Sequence, residues 1–304
     1  MLFRSFYKDP SDLSAPVAAI KTTKIYPYGN ESAALPMQFP DASGEKDINM
    51  LFPEDGTYFD MLDRFIQEEA VIERDLDMRG FLHTIGIEKN KKFIPSEEDR
   101  KLLNLAAVTA FKTSKVIINE LLPKETGGLY YKGKQWVNTF AGQNTSFQSS
   151  GTFTNLEQRT AYFTSAYSDA PAMVVNMINS GAKYPATSKD ADGEYLDGGK
   201  NYSLHLPANI PAKIFWSLAA YNSITASGLD NGQPFPSLNA MDKPVQNADG
   251  SIDLYLGPKA PQGKEKNWIA TVPDKGYFVI LRLYAPEQAF FDQTWQPEDI
   301  KKVK

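Results

Sequence analysis

Apolar and polar positions alternate strictly at Tyr202, Leu204 and Leu206, with Ser203 and His205 between them. That is the period of a half-buried strand. The Pro207-Ala208-Asn209-Ile210-Pro211 break that follows interrupts any ladder, because proline has no N–H to donate. The chain then returns with Ile214, Trp216 and Leu218 on one row and Phe215, Ser217, Ala219 and Tyr221 on the other. Bulky groups on both rows predict a central strand covered on two sides. Further strands are predicted near 151–155, 251–256 and 277–284, and in the last of these only Arg282 breaks an apolar run. Met173 to Ile178 reads equally as strand or helix. The turn pairs Asp192-Gly193, Asn231-Gly232 and Asp249-Gly250 punctuate these segments, as in an all-β sandwich.

Upstream the period changes. Val17 to Pro27 reads as a strand, followed by loop signals at Gly29-Asn30, Pro36, Pro40 and Pro53. From Thr57, read as a helix N-cap, Phe59, Leu62, Phe65 and Ile66 recur at helical spacing. A second helix is predicted from about Ile72 to Thr84, closed by Gly86. A third starts at Ser96 with Glu97, Glu98 and Asp99 in its first turn. Its stripe is Leu103, Ala107, Ala110, Phe111, Ser114, Ile117, Ile118 and Leu121, and it stops at Pro123. The organisation read from these patterns is a proline-rich segment over 1–56, a three-helix unit over 57–122 and a β-sandwich over 123–304, mainly β with a helical segment.

Length and composition narrow the function without naming it. The chain has 304 residues, a net charge of −5 and no cysteine. Disulfides and thiolate chemistry are thereby excluded. No basic face attracts phosphate backbones, so nucleic acid is not an expected partner. No segment approaches the roughly 18 consecutive apolar residues of a membrane span. Met1 to Tyr7 contains no apolar run of signal-peptide length; the expectation is either that the protein stays where it is made or that a leader or domain precedes this sequence.

Five ordered motifs carry a family likeness: Phe215-Trp216-Ser217, Asn247-Ala248-Asp249-Gly250-Ser251, Asn267-Trp268, Arg282-Leu283-Tyr284 and Trp295-Gln296-Pro297. In order and spacing they resemble domain-of-unknown-function family 1214. Upstream, Lys24-Ile25-Tyr26-Pro27 and Gly80-Phe81-Leu82-His83-Thr84-Ile85-Gly86-Ile87 resemble the end of companion family 1254 and its helical linker. The resemblance implies a jelly-roll-like antiparallel β-sandwich at the C-terminus, a small helical domain, and the last piece of an N-terminal β-domain over 1–56. It also implies a periplasmic or secreted location, with the cytoplasm left open. The family's Trp-Ser-x-Thr-x-Tyr-Asp reads Trp216-Ser217-Leu218-Ala219-Ala220-Tyr221-Asn222 here, without the hydroxyl at Ala219 or the carboxylate at Asn222. No agreed activity comes with the family.

The residues themselves exclude most specific chemistries. His83 and His205 are the only histidines and lie far apart, so no histidine-rich metal centre and no cofactor is expected. Asp190-Ala191-Asp192-Gly193 begins like a calcium loop but lacks the closing ligands and reads as a turn. Gly128 to Lys134 imitates a phosphate loop until Gln135 replaces the magnesium-binding hydroxyl. No Gly-x-Ser-x-Gly elbow exists. Paired carboxylates drawn from Glu157, Asp169, Asp190, Asp192 and Asp197 remain open for glycoside chemistry. Tyr130, Tyr131 and Trp136 sit among amides and hydroxyls, a composition suited to stacking on a glycan or polyol, while large aromatics are more usually core and these rings then close the helix–sandwich boundary. Arg159 and Arg282 complete the candidates with Asp169 and Tyr221, and Arg282 is expected to meet a carboxylate or a set of carbonyls. Two readings follow. One is a binding or interaction protein with a polar-ligand cleft; the alternative is a carboxylate-based hydrolase or lyase. Oligomeric state is left open.

Overall fold

The computed structural model describes residues 12, 14–40, 49–141, 144–148, 151–164, 166 and 169–303. Two compact units divide the chain, Met1–Glu45 and Lys46–Lys304. In the first, α1 (Ser14–Thr22) buries none of its residues. This corrects the strand predicted over 17–27. The Asp12 carboxylate accepts the Ser14 N–H at 3.0 Å, Pro16 suits a first turn, and Ala18 and Ala19 are strong helix formers. The only apolar side chains near the centre of that stretch, Ile20 and Ile25, are five residues apart, which is no strand period.

In the second unit α2 (Thr57–Glu68), α3 (Leu76–Thr84) and α4 (Glu97–Val116) come first. Thr57 is the first helical residue and not the cap, which is Gly56. The preceding Asp55 accepts the Thr57 N–H on its Oδ1 at 3.0 Å. The second helix starts as a 3₁₀ turn, Glu73–Asp75, and Gly86 beyond α3 takes a φ of 89° that glycine tolerates. Ser96 and Asp99 form a reciprocal capping box at the start of α4. After Val116 the same stripe continues as a π turn, Ile117–Leu121, and a 3₁₀ turn ending at Lys124. Ile66, Ile87 and Phe93 form the small core of this region, with Phe59, Leu62, Leu82 and Leu103 packed against it.

Lys115 of α4 lies with its Nζ over the Phe111 ring, 5.0 Å from the centroid, and 3.5 Å from the Thr164 carbonyl oxygen. Burial pushes its ammonium down to about 8, with Glu54 opposing. The folded chain therefore holds this proton less tightly than the unfolded chain. The group lowers stability at neutral pH, and the deficit fades as pH rises from about 8 towards the ordinary 10.5. Lys115→Met is expected to raise the melting temperature at pH 7 and to remove this part of the rise above pH 8. Identical melting profiles across that range would contradict the burial of the charge.

The expected strand at 151–155 is a bend, and α5 (Leu156–Phe163) follows it. The helix is capped by Asn155, whose Oδ1 accepts the Gln158 N–H at 3.0 Å. Met173 to Ile178 is neither long helix nor strand but follows from a 3₁₀ turn, Pro171–Met173. The remaining elements are β1 (Ala182–Lys183), β2 (Ala186–Thr187), β3 (Tyr202–Leu206), β4 (Ala212–Asn222), β5 (Ser237–Asn239), β6 (Ile252–Gly257), β7 (Trp268–Ala270), β8 (Tyr277–Pro286), α6 (Gln288–Phe291) and β9 (Lys301–Lys302).

They make two sheets, ordered β1-β8-β4-β5 with β2 also on β8, and β7-β6-β3-β9. All pairings are antiparallel except β6 with β7, which is parallel, so the second sheet is mixed. The inward rows Tyr202-Leu204-Leu206, Trp216-Leu218-Ala220, Ile252-Leu254-Leu256 and Tyr277-Val279-Leu281-Leu283 belong to one hydrophobic cluster. β4 lies between β8 and β5, as its two-sided apolar pattern predicted. Ile214 departs from that pattern: it is 72% exposed. The register of β4 against β8 shifts between Ala212 and Phe215, and such an irregularity turns one residue off its row. Among the described residues no helix is long and apolar enough to cross a membrane.

Candidate functional site

The candidates named from sequence separate into three places. Tyr131 and Trp136 belong to the sandwich core, both essentially enclosed, with Tyr130 packed against them. Phe290 of α6 contacts both tyrosine rings, with centroids 5.6 Å from Tyr130 and 6.4 Å from Tyr131. The Trp136 indole donates to the Glu298 carbonyl at 3.1 Å. Rings packed this way could stack on a ligand only if the core opened. Arg159 is exposed on α5, and Asp169 is exposed beyond it. Asp169 adds to the burial that pushes the Tyr162 phenol up to about 12.

Tyr221 and Arg282, 61 residues apart, are brought together. Antiparallel pairing of β4 with β8 sets Phe215 opposite Tyr284, Ser217 opposite Arg282, Ala219 opposite Ile280 and Tyr221 opposite Phe278. Residues directly opposite in an antiparallel pair share a face. This is the outward face of the sheet, because the alternate row carries the core. Phe215 and Tyr284 stack with centroids 4.2 Å apart and planes within 12°. Tyr221 and Phe278 stack at 5.2 Å and 19°. In the strand register Arg282 stands between these two aromatic pairs. It reaches the Tyr221 ring, 5.5 Å from the centroid, and its Nη2 donates to the Tyr221 hydroxyl. All of these side chains except buried Ala219 are half-buried.

The carboxylate expected beside Arg282 is not there. Among the described residues no acidic group pairs with it, and its buried Nε–H has no acceptor. A phenol hydroxyl and a ring face stabilise the cation in part, but they do not neutralise it. Burial pushes the Tyr221 phenol up even though Arg282 pulls the other way, so the pair carries a full positive charge at neutral pH. Ser217 presents a hydroxyl directly across from it. The arrangement offers a half-buried cation, hydroxyls and two stacked aromatic pairs, while the unpartnered Arg282 Nε–H itself is enclosed.

The other conspicuous polar residues hold the frame. Asn222 uses its Oδ1 to accept the Ile224 N–H at 2.8 Å, closing the turn after β4. Asn267 clamps two loops, donating to the Val245 and Asp253 carbonyls while accepting the Val245 N–H. Asn247 and Asp249 tie a turn to Ser251. Trp295 donates to the Pro207 carbonyl at 3.1 Å. His205 pairs with Asp253 at 2.7 Å and His83 with Glu88 at 3.0 Å. The Asp190 carboxylate holds its own turn through the Asp192 and Glu194 N–H groups. Among the described residues no group of three side chains is placed to hold a metal ion. Asp299 is the carboxylate that burial pushes up, and its Oδ1 accepts the Gln135 N–H at 2.8 Å, a structural use.

Comparison with known proteins is silent on chemistry. The model of a family described as a protein of unknown function (DUF1214) matches residues 181–288, the stretch that contains β4, β8 and the Arg282 face. No curated protein matches the chain. A crystal structure from Vibrio parahaemolyticus is similar at 18% identity and a TM-score of 0.40, covering 89% of this chain and 59% of its own. One from Burkholderia cenocepacia is similar at 12% identity and a TM-score of 0.34, covering 76% of this chain and 49% of its own. The chain thus spans about half to three-fifths of the length of these two structures.

Proposed function

We propose that the two-sheet unit, read as a jelly-roll-like sandwich, is a binding module for a small polar ligand that combines a carboxylate with a sugar or polyol body. The observation that carries this reading is the half-buried Arg282 guanidinium, which has no carboxylate partner among the described residues and whose one assigned hydrogen bond is to the Tyr221 hydroxyl. An Arg fork matches a carboxylate in two parallel hydrogen bonds. The stacked pairs on either side offer faces to sugar C–H groups, and Ser217 and Tyr221 offer hydroxyls. Retaining an uncompensated cation costs stability, and a ligand that neutralises it recovers that cost on binding. The resemblance to companion family 1254 upstream, and a periplasmic or secreted location, belong to the same proposal.

Calorimetric titration tests it. D-glucuronate is expected to bind saturably, and D-glucose at least about tenfold more weakly, the worth of one charge-assisted contact. Arg282→Gln is expected to abolish the difference between the two sugars without changing the melting temperature greatly. Equal affinity for both, or an unaffected Arg282→Gln variant, would overturn the assignment. Release of new chain ends from a polyuronate, stopped by a single Asp→Asn change, would establish the hydrolase or lyase reading in its place.

A further inference from the structure

On the opposite side of β4 from Arg282, an open groove of about 410 Å³ is lined by Trp216, Ala240, Lys243, Pro244, Gln246 and Ile252. Three of these, Ala240, Pro244 and Ile252, make an apolar floor. Lys243 ends the 3₁₀ turn Ala240–Asp242 in the left-handed region, with φ 51°. Its ammonium is exposed and has no ion-pair partner among the described residues. Gln246 is exposed beside it.

The second observation concerns the indole. Trp136, Trp268 and Trp295 each donate their N–H to a main-chain carbonyl, at 3.1, 2.9 and 3.1 Å. Trp216 is 7% exposed, yet its N–H has no acceptor among the described residues, and it is not among the fully enclosed unpartnered atoms. Trp216 is one of the side chains that line the groove. The other three indoles are paired within the protein, and Trp216 alone of the four leaves its N–H for a partner from outside the described residues. The volume falls within the range of small-molecule sites.

We infer that this groove is a second binding site, for a small organic carboxylate with an apolar body. The Trp216 N–H and the Lys243 ammonium would take the carboxylate oxygens, and the apolar floor would take the chain. It is separate from the Arg282 face, because Trp216 and Ser217 are successive residues of one strand and project to opposite sides of the sheet.

The probe is hexanoate, with hexanol as its uncharged counterpart. Four indole N–H resonances are expected from the four tryptophans of the chain, and Trp216→Phe identifies the relevant one. In D₂O that resonance should exchange fastest, lacking an intramolecular acceptor. Hexanoate should shift it saturably and slow its exchange, and hexanol should do so at least about fivefold more weakly. Lys243→Gln, an exposed change that leaves the fold intact, should weaken the hexanoate response about fivefold. Trp216→Phe should lower calorimetric affinity in the groove about tenfold, with a thermal melt confirming that the ring still packs. Arg282→Gln should leave the Trp216 response unchanged. No saturable shift, equal response to hexanol, insensitivity to Lys243→Gln, or loss of the response in Arg282→Gln would each overturn the proposal.

Discussion

Trp136→Ala is expected to destabilise the protein by about 3–5 kcal/mol, read as a lowered denaturation midpoint at unchanged slope. The side chain is wholly enclosed within the cluster that also holds Tyr131, Leu204, Leu281 and Ile300. Truncation would leave a cavity bounded by both sheets and the C-terminal segment. It would also strip the Glu298 carbonyl of its donor, which now sits 3.1 Å from the indole nitrogen. Trp136→Phe should restore most of the packing but not that hydrogen bond, recovering all but about 1–2 kcal/mol. A Trp136→Ala variant that melts like the parent would remove this residue from the core and return it to consideration as a ligand platform.

Gly198→Ala is the second severe change, expected to cost about 3 kcal/mol or more because the backbone itself must move. A Cβ at this position would meet the Val272 carbonyl oxygen at 1.9 Å and the Lys275 carbonyl oxygen at 2.9 Å. The close approach is used: the Gly198 N–H donates to Lys275 at 2.9 Å, and Thr271 Oγ1 donates to the Gly198 carbonyl at 2.7 Å. Gly199 is the internal control. Its Cβ would meet only the Asp197 carboxylate, at 3.4 Å, so Gly199→Ala should change the midpoint little. Equal effects of the two substitutions, measured by thermal or urea melts, would contradict the packing at this turn.

The two sheets are legible where side chains face a core on a strict period. Tyr202 to Leu206, the row through Trp216 and Leu218, and Tyr277 to Tyr284 all became strands, and the two-sided pattern of the second became a central position. The capping residues of α4 were legible for the same local reason. What failed were places where a non-local or subtler signal dominates. The β4 register shift that exposes Ile214 depends on its partner strand. α1 is marked only by local helix signals, Asp12, Pro16 and the alanines, and it buries no side chain that would add an amphipathic period. α5 had a cap signal in Asn155 followed by Gln158, overlooked beside the Gly151-Thr152-Phe153 run. The candidate site divided in a similar way. Arg282 stood out as the charge in an apolar strand, and Tyr221 through its motif. Their meeting, and the missing carboxylate, follow from the β4–β8 register, which sequence does not state. The aromatic composition around Tyr130 to Trp136 is compatible with core or cleft, and only burial separates the two.

The most direct measurement observes the unused donor itself. In a protein labelled with ¹⁵N at arginine, the Arg282 Nε–H resonance is identified by its loss in Arg282→Lys. Titration with D-glucuronate is expected to shift this resonance saturably, with the same midpoint as the calorimetric heat, while D-glucose leaves it in place. Heat that saturates while the Arg282 resonance stays fixed, or a resonance that never moves up to millimolar glucuronate, would contradict the assignment of this face as the ligand site.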